Sequence, residues 1–338
     1  MLKKIFLTVL LLATFVMYGC TTQAAVNAPN VRGDLKISML DIGHGDAILI
    51  QTGKQTILFD TAKPEKHAEL VRGLEKLSVT KIDKLIITHP HGDHIGGAKM
   101  LINPNEKELA EFPYLEKISV AAVYDNGFVH TSPLYKNTLK ATLAKNIPHQ
   151  SLKVGDVLDF GNGVEFKVLW PTADFIATVN GTKFPKEDRE HNLNNGSIVG
   201  KLTYKDFSMM FTGDCERASE AKIVENNSAA DLKCDVLKSG HHGVTTSSTK
   251  KFVEAIHPSC VLISAGHRAK DNVKLPPPYS RVLNTYLAAG VDKNNIFCTR
   301  WNNTITLTSD GKNFSVEPET KEAWFDTWMA HLKTLQKK

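Results

Sequence analysis

Four side chains that bind metals crowd into six positions of this chain: His89, His91, Asp93 and His94. They lie within residues 82–97, IDKLIITHPHGDHIGG. Leu85, Ile86 and Ile87 make a short apolar run between polar residues, the pattern of a buried strand. The strand ends at Thr88. Side chains two apart in extended backbone point the same way, so His89 and His91 can reach one ion together. Asp93 and His94 follow the turn at Gly92 and can face a second ion beside it. Imidazole and carboxylate suit zinc, manganese or iron, and no thiol is present to bias the choice. Gly96 and Gly97 let the backbone turn tightly or pass close to another group. A polar loop merely rich in histidine is the bland alternative, and four ligands directly after a strand speak against it.

Chemistry-bearing residues recur where other strands end. Residues 36–40, 47–51 and 56–60 read as strands, the last closing on Asp60. Residues 197–202 and 207–211 read as a strand pair that delivers Thr212-Gly213-Asp214. Asp214 has a second reading, as the N-cap of a helix starting near Glu216. Residues 234–238, CDVLK, read as a buried strand leading to Ser239-Gly240-His241-His242-Gly243. Two exposed structural histidines are the alternative there. Residues 118–124 and 261–265 are further strands, and residues 152–170 hold strands with turns at Gly155 and at residues 161–163. Helices are predicted over 67–77, 98–102, 134–144, 218–229 and 279–289. Trp324, Phe325, Trp328, Leu332 and Leu335 form one stripe of a tail helix, read as packed on the domain. Residues 172–192 are polar and read as a loop that shapes substrate access. Asp125 and Asn126 are candidates to line the pocket. His130 and His149 read as surface or structural residues.

The N-terminus is a targeting segment. Lys3 and Lys4 precede an apolar stretch over residues 5–18, too short for a comfortable membrane span. It ends in Met17-Tyr18-Gly19-Cys20, which resembles a bacterial lipobox whose cysteine becomes a lipidated N-terminus. Plain secretion, with cleavage near Ala24 or Ala25, is the alternative. Both place the mature chain outside the cytoplasm. The expected organisation is a signal segment over 1–20, one domain over 34–317, and a C-terminal helix over 318–338. An oxidising compartment permits disulfides. Cys260 and Cys298 both lie in apolar runs and are candidates to pair, with buried free thiols the alternative for these and for Cys215 and Cys234. Lys plus Arg total 41 against 36 for Asp plus Glu. That mild excess is not the basic footprint of an obligate nucleic-acid binder.

The run from His89 to His94 resembles the HxHxDH signature of the metallo-β-lactamase superfamily. Asp41-Ile42-Gly43-His44-Gly45-Asp46-Ala47 is similar to the DVGQGDA stretch of its ComEC-type branch, the soluble hydrolase-like part of the DNA-uptake channel protein. Residues 192–198 (NLNNGSI), Thr212-Gly213-Asp214 and His241-His242-Gly243 resemble later motifs of that branch. The resemblance spans roughly residues 35–300. It implies an α+β fold, the four-layer αββα sandwich. It implies one or two Zn2+ ions, or Mn2+, held by His89, His91, Asp93, His94, Asp214 and His242, with Asp214 bridging. Asp60, Asp46 and Asn195 would hold the ligands in place by hydrogen bonds. Asp93 would position the water that the metal activates. His241 or His242 would stabilise the developing oxyanion. His44 takes the place of the branch's usual glutamine and reads as a surface turn residue.

The chain departs from the superfamily pattern at two places. Where many members carry a further histidine before the bridging aspartate, this chain has Asn194 or Asn195, with His191 just ahead. A His-Pro after the last strand is replaced by Leu275-Pro276 or Pro277-Pro278. His241, His242 or His267 would have to compensate. The expected function is metal-dependent hydrolysis of phosphodiester bonds, in nucleic acid or phosphocholine-like surface groups. One rival is a lactonase or β-lactamase-like ester or amide hydrolase. The other is a non-catalytic, extracytoplasmic DNA-binding lipoprotein.

Overall fold

The computed structural model describes residues 32–183, 185–266 and 277–335. Cys20 and the rest of residues 1–31, and also His267, Leu275 and Pro276, lie outside the described residues. One sheet has eight strands in the order Phe314–Pro318, Ile305–Ser309, Leu35–Met39, Ile48–Gln51, Thr56–Phe59, Lys84–Ile86, Val123–Asp125 and His149–Ser151. The second has seven: Ile296–Cys298, Cys260–Ile263, Val236–Lys238, Phe207–Phe211, Val199–Tyr204, Val164–Trp170 and Val157–Asp159. Lys81–Ile82 and Ser119–Val120 form a small separate pair.

Side-chain alternation sorts these strands into layers. Ile86 points between the two large sheets, while Leu85 and Ile87 point outward to helices. Val236 points inward and Leu237 outward. Phe59, Phe166 and Phe211 meet in the intersheet core, with Phe59 stacked on Phe211 at 4.8 Å between ring centroids. Helices His67–Lys76, Ala98–Ile102 and Pro133–Ala144 cover the first sheet. Helices Arg217–Asn226, Lys250–Ile256, Ser280–Ala288 and Phe325–Leu335 cover the second. This is the αββα sandwich that the motifs imply. In the last helix Phe325, Trp328 and Leu332 are buried, and Trp324 just ahead stacks on Trp301 at 4.3 Å. Among the described residues, no helix is long and apolar enough to cross a membrane.

Each large sheet changes from antiparallel to parallel pairing at one strand. In the first this is Thr56–Phe59, and in the second Phe207–Phe211. Asp60 follows the one and Asp214 the other. The other candidate ligands leave the carboxyl ends of the neighbouring parallel strands Lys84–Ile86 and Val236–Lys238. In open sheets such switch points leave a crevice for a ligand. Here two crevices face each other at one rim.

Several expectations need correcting. Residues 172–192 are not a loop: they form helices Ala173–Gly181 and Lys186–Asn195. Thr172 caps the first, accepting from the Phe175 amide at 3.1 Å. Glu187 and Asp188 stand in the first turn of the second, where carboxylates suit the helix dipole. Its polarity hid it, because there is no apolar stripe to read. Residues 118–124 split between two sheets. The helix predicted over 218–229 breaks after Asn226, and a separate turn runs Ala229–Leu232. Cys260 and Cys298 do not pair. All four described cysteines are free and buried. Cys260 faces the intersheet core and Cys298 the outer helical layer.

Candidate metal centre

Asp60 organises the first ligand loop. It sits at the strand end with φ 59° and is almost fully buried. Its carboxylate accepts from the Thr88 amide (2.8 Å), the Thr88 hydroxyl (2.8 Å) and His94 Nδ1 (2.7 Å). The proton of His94 is thereby fixed on Nδ1, and Nε2 is presented to Asp214 Oδ2 at 3.2 Å. His89 Nδ1 lies 3.1 Å from Thr88 Oγ1 and 3.3 Å from Ser197 Oγ. The Ser197 hydroxyl also accepts from the Asp214 amide at 3.0 Å, so one serine ties both ligand loops together. His89 Nε2 faces His91 Nδ1 at 3.0 Å. The other nitrogen of His91, Nε2, donates to Glu190 Oε2 at 2.8 Å.

The second ligand loop comes from the opposite sheet. His241 and His242 both adopt left-handed backbone, with φ 47° and 56°. This turns their side chains apart. His242 is fully buried. Its Nδ1 donates to the Ser264 carbonyl at 2.8 Å, and its Nε2 points at Asp214 Oδ2 (3.3 Å) and Asp93 Oδ2 (3.7 Å). His241 stays at the rim, Nδ1 bonded to Thr246 Oγ1 at 2.8 Å and Nε2 3.7 Å from Asp214 Oδ2. Geometry thus separates a ligand-like histidine from a solvent-facing one. Asp214 is not a helix cap, since the following helix starts at Arg217 behind Glu216.

His44 is not a surface residue. It is 4% exposed, its ring centroid is 4.4 Å from that of His242, and its Nε2 is 3.5 Å from Asp93 Oδ2. The flanking glycines fold the turn inward. A Cβ on Gly45 would lie 2.5 Å from the Asp93 carbonyl oxygen, so that turn passes against the first ligand loop as only glycine allows. Asp46 is held by Lys238, whose buried ammonium lies 2.5 Å from Asp46 Oδ2, 2.9 Å from the Gly213 carbonyl and 4.0 Å from Asp214 Oδ1. Asn195 does not reach the ligands. Its Oδ1 accepts from the Ser219 amide and hydroxyl, and its Nδ2 donates to the His191 carbonyl. It braces the Lys186–Asn195 helix instead. His191 points away from the ligands as well, to Glu216 at 2.7 Å. Asp125 is tied to His149 at 2.8 Å and Asn126 to the Gly196 carbonyl at 2.8 Å. Both flank a small apolar hollow beside His89.

Burial pushes the Asp214 carboxyl up, but His242, His94 and His241 outweigh it and hold it well below the usual carboxylate range. Burial disfavours the His94 cation, yet Asp214 and Asp60 raise its pKa well above the ordinary value. Burial, then His94 and His91, keeps His89 neutral by lowering its pKa well below normal. Two sets of ligand atoms converge: His89, His94 and Asp214, and beside them His44, Asp93 and His242. In a third acidic group, Asp46 with Asp60 and His94, Asp46 Oδ2 is paired with the Lys238 ammonium and Asp60 accepts from His94 Nδ1. Within the first two sets, His94 Nε2, His242 Nε2 and Asp214 Oδ1 are buried with no hydrogen-bond partner. Each orphaned buried polar atom costs about 1–3 kcal/mol. The two imidazole nitrogens converge on Asp214 Oδ2, at 3.2 and 3.3 Å, an arrangement that fits a divalent cation.

These features define a metal-dependent hydrolase centre, and the chain belongs to the metallo-β-lactamase superfamily, whose family model matches residues 40–267. Within it the ComEC-type resemblance holds. The chain is 27% identical over 273 residues to ComE operon protein 3 of Bacillus subtilis, covering 75% of this chain and 31% of that protein. It is 25% identical over 260 residues to competence protein ComA of Neisseria gonorrhoeae, covering 77% and 30%. The chain thus spans under a third of the length of these relatives. Among solved structures, the metallo-β-lactamase fold protein YhfI of Bacillus subtilis aligns with a TM-score of 0.47 at 12% identity, over 81% of this chain and 99% of that one.

Proposed function

We propose that this chain is a two-cation phosphodiesterase that works outside the cytoplasm, attached to the membrane through a lipid at Cys20. The carrying observation is Asp214. One of its oxygens lies 3.2 Å from His94 Nε2 and 3.3 Å from His242 Nε2, and the other has no hydrogen bond. A carboxylate shared between two adjacent ligand sets suits a pair of ions placed for phosphoryl chemistry. His89, His91, His94 and Asp214 would hold one cation, zinc or manganese, and Asp93 and His242 the other. When bound, the metal supplies counter-charge for the phosphoryl group and an activated water near neutral pH. Asp93, whose carboxylate lies among these groups, would accept a hydrogen bond from that water and orient it. His241, braced by Thr246 and 3.3 Å from Glu216, offers Nε2 at the rim to the charge that develops on the substrate oxygen. Asp60 and Ser197 keep the histidine nitrogens aimed and take no direct part.

The relatives carry competence names, which favours DNA or another phosphodiester polymer as substrate. The test is turnover of bis(p-nitrophenyl) phosphate, single-stranded DNA, a lactone and a β-lactam by the zinc- and manganese-loaded full chain. Phosphodiester turnover with the others idle is the expected result. Preferred lactone or lactam cleavage would overturn it. No turnover, together with salt-steep DNA binding by the metal-free chain, would mark a binding protein.

A further inference from the structure

The second set of converging groups contains a histidine, His44, in a glycine-flanked turn. His44 Nε2 lies 3.5 Å from Asp93 Oδ2, and His242 Nε2 lies 3.7 Å from the same oxygen. Both distances exceed the usual 2.7–3.2 Å of an N–H···O bond. The three groups therefore converge on common space without bonding one another closely, and their ligand atoms all lie within 4.8 Å. The position of His44 is built. Gly43 and Gly45 fold the turn inward at φ 75° and 130°. The Ser264 hydroxyl donates to the Gly45 carbonyl at 2.5 Å, while the Ser264 carbonyl orients His242. Gly266 packs so closely on Gly43 that an added Cβ would lie 2.4 Å from the Gly43 Cα. One strand end thus positions both imidazoles.

We propose that His44 is itself a ligand of the second cation, completing a set with Asp93, His242 and the shared Asp214. The inference rests on the two-cation reading above. Four protein donors would close that coordination shell. Closed shells hold ions for structure and charge, whereas catalytic sites keep a position open. The His44 side would then serve to fix Asp214 and Asp93.

The full chain, purified in mild detergent, is titrated with Zn2+ by calorimetry and with Co2+ by visible absorption. Wild type, His44→Gln, His44→Cys and His242→Ala are compared. His44→Gln is expected to weaken one of two binding steps at least tenfold and to change the cobalt spectrum, with the other step intact as an internal check on folding. His44→Cys is expected to add a near-ultraviolet cobalt–thiolate charge-transfer band, which arises only if residue 44 touches the ion. Wild-type binding steps in His44→Gln, with no such band in His44→Cys, would overturn the proposal. If His242→Ala nonetheless loses a step, His44 alone is dismissed. If His242→Ala also binds as wild type does, the two-cation reading falls with it.

Discussion

The two ligand sets are held by different means. The first, His89, His91 and His94, sits on ordinary strand-to-helix backbone and is aimed by carboxylates: Asp60 through Thr88 and His94, Glu190 through His91. The second, His44 and His242 with Asp93, depends on unusual backbone: inward glycine turns, left-handed His242, and a carbonyl in place of a carboxylate behind the ring. Left-handed backbone at a non-glycine residue costs on the order of 1–3 kcal/mol. It persists here because Ser264, Thr246 and Lys238 fix its surroundings. A local motif builds the first set, and tertiary contacts build the second.

The largest expected effect falls on the joint between them. Lys238→Met removes the ammonium that pairs with the buried Asp46 carboxylate, and breaking such a pair costs about 3–5 kcal/mol. Denaturant unfolding measures it, and adding Asp46→Asn should recover much of the loss. Should the single variant unfold like wild type, Lys238 is no link between the sets.

Asp214→Ala removes the carboxylate proposed to be common to both. Elemental mass spectrometry should find less than one ion per chain. Turnover should fall by more than the roughly 100-fold ceiling of ligand-supporting residues. One full ion retained would mean that the sets do not share it.

Supporting residues come next, and they separate the sets. Asp60→Asn keeps a residue tolerant of left-handed backbone, but an amide can donate toward His94 Nδ1 and drive the proton onto Nε2. Glu190→Ala frees the proton of His91 in the same sense. Each should weaken only the first binding step, by roughly 10–100-fold. Loss of both steps would contradict the division.

The smallest effect is a control away from both sets. The hydrogen bond and charge of Asp125 raise the His149 pKa, against burial. A raised folded-state pKa contributes stability below the unfolded value near 6.5, lost as pH rises through the folded value. His149→Gln should remove this pH-dependent increment, about 0.5 kcal/mol for a partly exposed pair, and leave metal binding unchanged. A change in metal binding would make Asp125 part of the centre.

The same division explains what could be read in advance. His89 to His94, Asp60 and Asp214 stand in short motifs at strand ends, and period-two apolar runs gave the strands and hence the layers. The closeness of Asp46 to the ligands is legible in its motif, but its partner Lys238 is not. Strand alternation carried that signal, because Val236 inward and Leu237 outward put Lys238 back between the sheets. A lysine there needs a buried carboxylate. Glu190 and Glu216 gave no local signal. They lie in polar runs whose partners are over twenty residues away, and only the folded chain brings them to His91 and His241.

The pair of Asp46 and Lys238 has a logistic consequence. One partner comes from each sheet, so the chain carries its own cation to the seam where the halves meet. Closure of the sandwich is then not hostage to metal supply. A chain folded without divalent cations should therefore still take up metal afterwards. Removing the metal with a chelator should silence it reversibly rather than unfold it.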